Sequence, residues 1–161
     1  MKHFQQTLTV AASAADVYAA LSTIEGVRNW WSQDCDGSSE VGGTIHFRFG
    51  TCFNDMRVDR LAPTEVRWHC TRAHTVGAAV TNEGEWVGTE LVFHLNEAGA
   101  GKTRIDFEHV GLVPSLECYD MCLKGWAHFL NSLQQYVETG EGTPYVGNIP
   151  HAQPIERSAA A

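Results

Sequence analysis

The feature that most constrains this chain is a change of hydrophobic period. Between residues 44 and 109 apolar side chains recur at every second position, the period of strands with one buried face. Between 115 and 138 they recur at alternating spacings of three and four, the period of an amphipathic helix. TIHFRFG sets Ile45, Phe47 and Phe49 against Thr44, His46 and Arg48, and MRVDRL sets Met56 and Val58 against Arg57 and Asp59. EVRWHC, TELVFHL and TRIDFEH repeat the alternation with Val66, Trp68 and Cys70, then Leu91, Phe93 and Leu95, then Ile105, Phe107 and His109. Strands that are apolar on one parity need one cover, and the 115–138 helix is the only segment long enough to supply it. An α+β fold follows, a curved antiparallel sheet wrapped around a long C-terminal helix.

The flanks complete this order. Phe4, Leu8 and Val10 share a parity in an opening strand over 3–10. Ser13 stands three residues before Asp16 in the manner of a capping box, and Val17, Leu21 and Ile24 then mark one face of a short helix. After Gly26 a second short helix is expected to carry Val27, Trp30 and Trp31. The stretch 73–84 reads as a loop or a weak strand, and Trp86 falls on the wrong parity for a strand unless Gly88 hosts a bulge. The long helix stops at Gly140, and Gly125 inside it suggests close packing or a slight kink. Residues 1–138 form the expected domain, and 139–161 a tail ending in Ser-Ala-Ala-Ala.

Composition excludes several classes of function. Eleven Lys and Arg against 19 Asp and Glu give a net charge of −8, which argues against nucleic acid and anionic membrane as partners. No apolar run approaches the roughly 20 residues of a transmembrane helix. Five cysteines are an odd number in a chain long enough to build its own core, so reduced thiols and a cytoplasmic location are expected. Gly99-Ala100-Gly101-Lys102-Thr103 imitates the end of a phosphate-binding loop, but Asn96 stands where a glycine is required and a strand follows instead of a helix. It is read as a hairpin turn.

Several blocks carry a family likeness: AASAADVYAALSTIEGVRNWW (11–31), EVGGTIHFRFG (40–50), GEWVGTELVFHL (84–95), TRIDFEHVGL (103–112) and GWAHFLNSLQQYVETGEGTP (125–144). In order and content they resemble the START-like (SRPBCC) helix-grip superfamily, above all the homologue group of the activator of the 90-kDa heat-shock chaperone ATPase. The resemblance extends over about residues 3–144, with Trp30-Trp31 and the Gly125-Trp126 helix its most specific pieces. It implies a seven-stranded antiparallel sheet gripping the last helix with a cavity between them. It also implies binding of small apolar or amphipathic molecules, with polyketide cyclisation in some relatives. The chaperone activators of the group typically carry an additional N-terminal domain, which makes ATPase activation the weaker expectation.

On this footing the inward aromatic residues become the candidate site. Trp31, Phe47, Phe49, Met56, Trp68, Phe93, Phe107, His109, Cys122 and Trp126 are the expected ligand-binding residues. The occupant would be a small hydrophobic or aromatic molecule. Aromatic residues also fill solid cores, so parity alone leaves a packed interior as the competing reading. His109 is either a core histidine bonded to a backbone carbonyl or a polar group that orients a ligand or moves a proton. Asp106 and Glu108 have the outward parity, so no carboxylate partner is evident and a cyclase-like activity is the alternative to plain binding. Cys118 and Cys122 share a helix face, but no CxxC or HxxxH spacing accompanies them, and neither a metal nor a cofactor is expected. His46, His69, His74 and His94 are read as outward-facing, and Trp86, if exposed, as a contact in a homodimer.

Overall fold

The computed structural model describes residues 3–77 and 80–146. Strand β1 (Phe4–Val10) leads into helices α1 (Ala14–Ser22) and α2 (Ile24–Trp30). The strands β2 (Cys35–Gly37), β3 (Thr44–Phe49), β4 (Cys52–Ala62), β5 (Glu65–His74), β6 (Glu90–Glu97) and β7 (Thr103–Val110) follow, and helix α3 (Tyr119–Thr139) closes the fold. All seven strands form one antiparallel sheet in the order β1-β7-β6-β5-β4-β3-β2. The α+β helix-grip architecture expected from the change of period is the one observed.

Local chemistry explains the elements. Ser13 caps α1 by accepting from the Asp16 amide at 3.1 Å, and Thr23 caps α2 by accepting from the Gly26 amide at 2.9 Å. Gly26 therefore lies inside α2 instead of ahead of it. Trp31 is the residue that ends α2, its amide donating to the Val27 carbonyl at 2.9 Å. Gly140, at φ 89°, ends α3 as expected from the sequence, donating to the Tyr136 carbonyl. The helix begins later than its periodicity suggests, because residues 113–118 turn before it instead of joining it.

Two strand features were not visible in the alternation. Strand β2 is only three residues long, too short for a period to register. Strand β4 begins at Cys52, with register shifts at Asp55/Met56 and Val58/Arg60, and such irregularities bend a sheet. The Gly99–Lys102 turn joins β6 to β7 as a hairpin, with Gly99 and Gly101 both at positive φ. Trp86 is not on a strand. It sits in the turn that precedes β6 and is buried, which removes it as an exposed dimer contact.

The core occupies the concave face of the sheet, under α3. Trp30, Phe47, Trp68, Phe93 and Phe107 are buried there with Leu21, Ile45, Met56, Leu91 and Leu130. The outer face is a lattice of charge, with Arg67 between Glu65 and Glu90, Arg57 on Asp59, and Glu108 accepting from His3 and Gln5. Beyond α3 the chain returns to the sheet: Tyr145 donates its amide to the Trp31 carbonyl at 2.8 Å and pairs with Ser32. The rest of the expected tail, 147–161, lies outside the described residues. Among the described residues no helix is long and apolar enough to cross a membrane.

Gly26 is where α2 presses against α1. A Cβ there would lie 2.6 Å from the Ala20 carbonyl oxygen and 2.7 Å from that of Ala19, both rigid backbone atoms. The intrinsic helical gain of alanine over glycine is about 1 kcal/mol, whereas overpacking against backbone costs about 1–3 kcal/mol. Gly26→Ala is expected to be destabilising, read as a lower denaturant midpoint at unchanged m-value.

Candidate functional site

The C-terminal ends of β3 and β5 and the start of β4 meet the first half of α3 at one end of the sheet. Here lies a cleft of about 260 Å³. The strands contribute Phe49, Cys52, Phe53, Asn54 and His74, Thr75 follows directly after β5, and α3 contributes Met121, Cys122, Gly125, Trp126 and Phe129. Trp31, Trp86 and Tyr145 complete the wall from the connecting segments. Among the described residues no Asp, Glu, Lys or Arg lines it.

Trp31 organises this wall. Its ring centroid lies 4.3 Å from Phe47, 5.6 Å from Phe49 and 5.4 Å from Trp126, and it stacks on Trp30 and Trp68 at 5.7 and 6.0 Å. The position follows from capping: ending α2 at Trp31 turns its side chain under the sheet while Trp30 anchors to the Ala20 carbonyl at 2.9 Å.

The other two tryptophans of the wall, Trp86 and Trp126, have their polar edges tied to neighbouring side chains. The Trp126 indole N–H donates to His109 Nδ1 at 3.0 Å, and the Trp86 indole N–H donates to Cys122 Sγ at 3.2 Å. Because an indole nitrogen can only donate, His109 Nδ1 must accept, which places the ring proton on Nε2. That Nε2–H faces Thr89 Oγ1 at 3.0 Å, and the Thr89 hydroxyl passes its own proton to the Trp86 carbonyl at 2.7 Å. A buried relay thus runs from α3 through β7 to the Trp86 turn with every member satisfied. Burial, with a smaller contribution from His3, pushes the His109 pKa down to about 3.

The Trp86 turn is itself held by carboxylates. Glu85 accepts from the amides of Glu117 and Cys118 at the start of α3, and Glu117 accepts from the amides of Thr81 and Asn82. The Cys122 thiol is drawn below its ordinary range by a hydrogen bond from Cys118, aided by Trp86 and opposed by burial, while Cys118 is correspondingly raised. All five cysteines are free thiols.

Of the ten expected site residues, the cleft brings together Trp31, Phe49, Cys122 and Trp126. Phe47, Met56, Trp68, Phe93, Phe107 and His109 do not line it. They are fully buried one layer deeper, packed behind the lining rings, as Phe107 is against Trp126 at 4.6 Å. Their alternation located the inner face of the sheet, and at the strand centres that face is filled. His109 is bonded to side chains instead of a backbone carbonyl, and both its nitrogens are engaged.

Several lining residues escaped the sequence reading. Asn54 continues the inward parity of Met56 and Val58, a signal that was present once β4 is extended to Cys52. His74, read as outward, is on the cleft, whereas His46, His69 and His94 pair with carboxylates on the outer face. Among the described residues one metal-type grouping occurs, Asp59, His69 and Glu90, also on the outer face. Arg57 and Arg67 already engage its two carboxylates.

The relay predicts acid sensitivity of a definite sign. Unfolded His109 titrates near 6.5 and folded His109 near 3, so the unfolded state binds the extra proton as pH falls between these values. This contribution to stability is complete above pH 6.5 and is lost on acidification, at up to about 1.4 kcal/mol per pH unit. Urea unfolding at stepped pH is expected to show this slope in the wild type, and a slope smaller by about one proton in His109→Gln.

Comparison with known proteins places this geometry among relatives. The solution structure of the Aha1 dimer from Colwellia psychrerythraea is similar at 31% identity and TM-score 0.72, covering 88% of this chain and all of that one. CalU16 from Micromonospora echinospora shares the fold at 16% identity and TM-score 0.62, over 97% of this chain and 82% of its own. DynU16, from the dynemicin biosynthetic locus, does so at 20% identity and TM-score 0.61, over 86% of this chain, which spans about half (48%) of DynU16. No curated protein sequence matches. The family model described as Activator of Hsp90 ATPase homolog 1-like protein matches residues 11–138, from the residue after β1 to the last turn of α3, and the chain belongs to that family within the START-like helix-grip superfamily.

Proposed function

We propose that the protein binds a small hydrophobic or aromatic molecule in the cleft between the sheet and α3. One observation carries this reading. Gly125 lies in the second turn of α3 on the cleft, and a Cβ built there would meet nothing within 4 Å. A glycine inside a helix costs about 1 kcal/mol relative to alanine, and this one is not repaid by a close approach of another backbone. What it leaves is space against Trp126 and Phe129. The expectation of close packing at Gly125 gives way to an opening.

The walls support the same reading. Rings and sulfur atoms make up most of the wall, and the indole N–H groups of Trp86 and Trp126 are already bonded to Cys122 and His109, so the surface offered to a ligand is mainly apolar. Burial of ligand surface at roughly 25 cal/mol per Å² would supply the affinity. The cyclase-like alternative has less support, because His109 lies behind the cleft with both nitrogens occupied. Chaperone ATPase activation, the activity in the family's description, would use an outer surface instead of the cleft. The dimeric state of the similar Colwellia structure favours self-association as a further property, which sedimentation velocity would measure.

Filling the opening separates these readings. Gly125→Leu is expected to fold at least as stably as the wild type, since leucine favours helix and the space is free. Wild-type protein titrated with naphthalene should show tryptophan fluorescence changes, and the variant should bind at least tenfold more weakly. Native mass spectrometry of freshly purified protein should find a co-purified small molecule on the wild type and not on Gly125→Leu. Equal naphthalene binding by the two proteins would sink the cleft as the site. Chaperone activation lost together with naphthalene binding would contradict the use of a separate surface.

A further inference from the structure

Three buried side-chain polar atoms among the described residues have no hydrogen-bond partner: Gln33 Oε1, Asn54 Oδ1 and Trp68 Nε1. Of these residues only Asn54 lines the cleft. It is 7% exposed, and it projects inward from β4 opposite Phe47 and Ala73, in a wall made mostly of rings and sulfur-bearing side chains. An unpaired amide oxygen in such a place is destabilising, a cost that a leucine of similar shape would avoid. The protein therefore carries on its mainly apolar cleft a buried polar atom that nothing among the described residues satisfies. A half-turn about χ2 exchanges Oδ1 and Nδ2, so the carboxamide presents either an acceptor or a donor to the cleft.

Two further observations narrow what would meet it. Among the described residues no Asp, Glu, Lys or Arg lines the cleft, its one histidine, His74, already faces Glu83 at 3.5 Å, and the neighbouring Asp55 is engaged on the outer face by His46 and Arg72. A charged ligand would lose its hydration with no counter-charge to replace it. The volume, about 260 Å³, exceeds the roughly 150 Å³ of a cavity that holds benzene and falls short of most drug-sized pockets. Building on the cleft reading above, we infer that Asn54 is the hydrogen-bond anchor for an uncharged aromatic alcohol of one or two rings. The hydroxyl suits it because one oxygen both donates and accepts, matching either face of the carboxamide. The rings lie among Trp31, Phe49, Trp126 and Phe129, and Asn54 sets which end enters first.

The test compares 2-naphthol with naphthalene, 2-methoxynaphthalene and 2-naphthoate by calorimetry on the wild type and on Asn54→Leu. Wild-type protein should prefer 2-naphthol over 2-methoxynaphthalene by about five- to tenfold, and over 2-naphthoate by more than tenfold. In Asn54→Leu the preference over the methyl ether should fall to near unity while naphthalene binds as well or better. The Asn54 side-chain amide resonances of the wild type supply a readout that does not depend on the variant folding. They should shift with 2-naphthol and stay in place with naphthalene. Hydroxyl preference that survives in Asn54→Leu, or wild-type protein that binds naphthalene in a Gly125→Leu-sensitive way without any hydroxyl preference, would overturn the anchor alone. Failure of all four probes to bind the wild type would overturn the cleft reading and the anchor with it.

Discussion

A sheet with one apolar face has to be covered, and here the cover is narrower than the sheet. Seven strands at about 4.8 Å spacing measure about 29 Å across. Helix α3, with 21 residues, is about 31 Å long but only about 10–12 Å wide with its side chains. Curvature closes part of the deficit, helped by the register shifts in β4. Helices α1 and α2 close another part, and large aromatic side chains at the strand centres fill the middle. What remains uncovered collects at the end where β3, β4 and β5 turn, under the first half of α3. The cleft is the remainder of this geometry.

The rest of the site depends on how its tryptophans are held. An indole is apolar on its faces and polar at one edge, so a tryptophan-lined cleft is apolar only if each N–H is disposed of elsewhere. His109 does this for Trp126 and Cys122 does it for Trp86. The histidine that sequence alone singles out as a possible acid or base is thus a positioning residue. It fixes a ring on α3 to β7 and, through Thr89, to the Trp86 turn. Its depressed pKa is a consequence of being fully buried and fully bonded, and it carries no implication of proton transfer.

The fold was legible in the sequence because period is set by backbone geometry. The alternation in β3 and β5 through β7, and the three-four spacing in α3, survive any detail of packing. Depth is different. Phe47, Trp68, Phe93 and Phe107 have the same parity as Phe49, yet only Phe49, at the end of its strand, reaches the cleft. Parity assigns a face and says nothing of distance along the strand to the edge of the helix above it. Trp86 and Tyr145 were illegible for another reason, since both reach the site from turns whose course is set by distant partners, Glu85 on α3's amides and Tyr145 on the Trp31 carbonyl. Asn54 was hidden by a strand read as starting four residues too late.

This layering separates the positions that hold the fold from several that shape the cleft. The deep aromatic layer ties β3, β5, β6 and β7 together, with Trp68 5.3 Å from Phe93 and 5.9 Å from Phe47, and Phe93 packed on both Trp30 and Phe107. Changes there remove core volume and cost several kcal/mol. The cleft-facing positions make few such contacts: Gly125 makes none from its missing Cβ, Met121 is 40% exposed, and the Asn54 oxygen has no partner to lose. Substitution at these positions alters the shape and polarity of the opening while leaving the deep layer intact. Trp126 and Phe129 belong to both layers, because they line the cleft and also hold α3 to the sheet, Trp126 through His109 and Phe107 and Phe129 through Phe49.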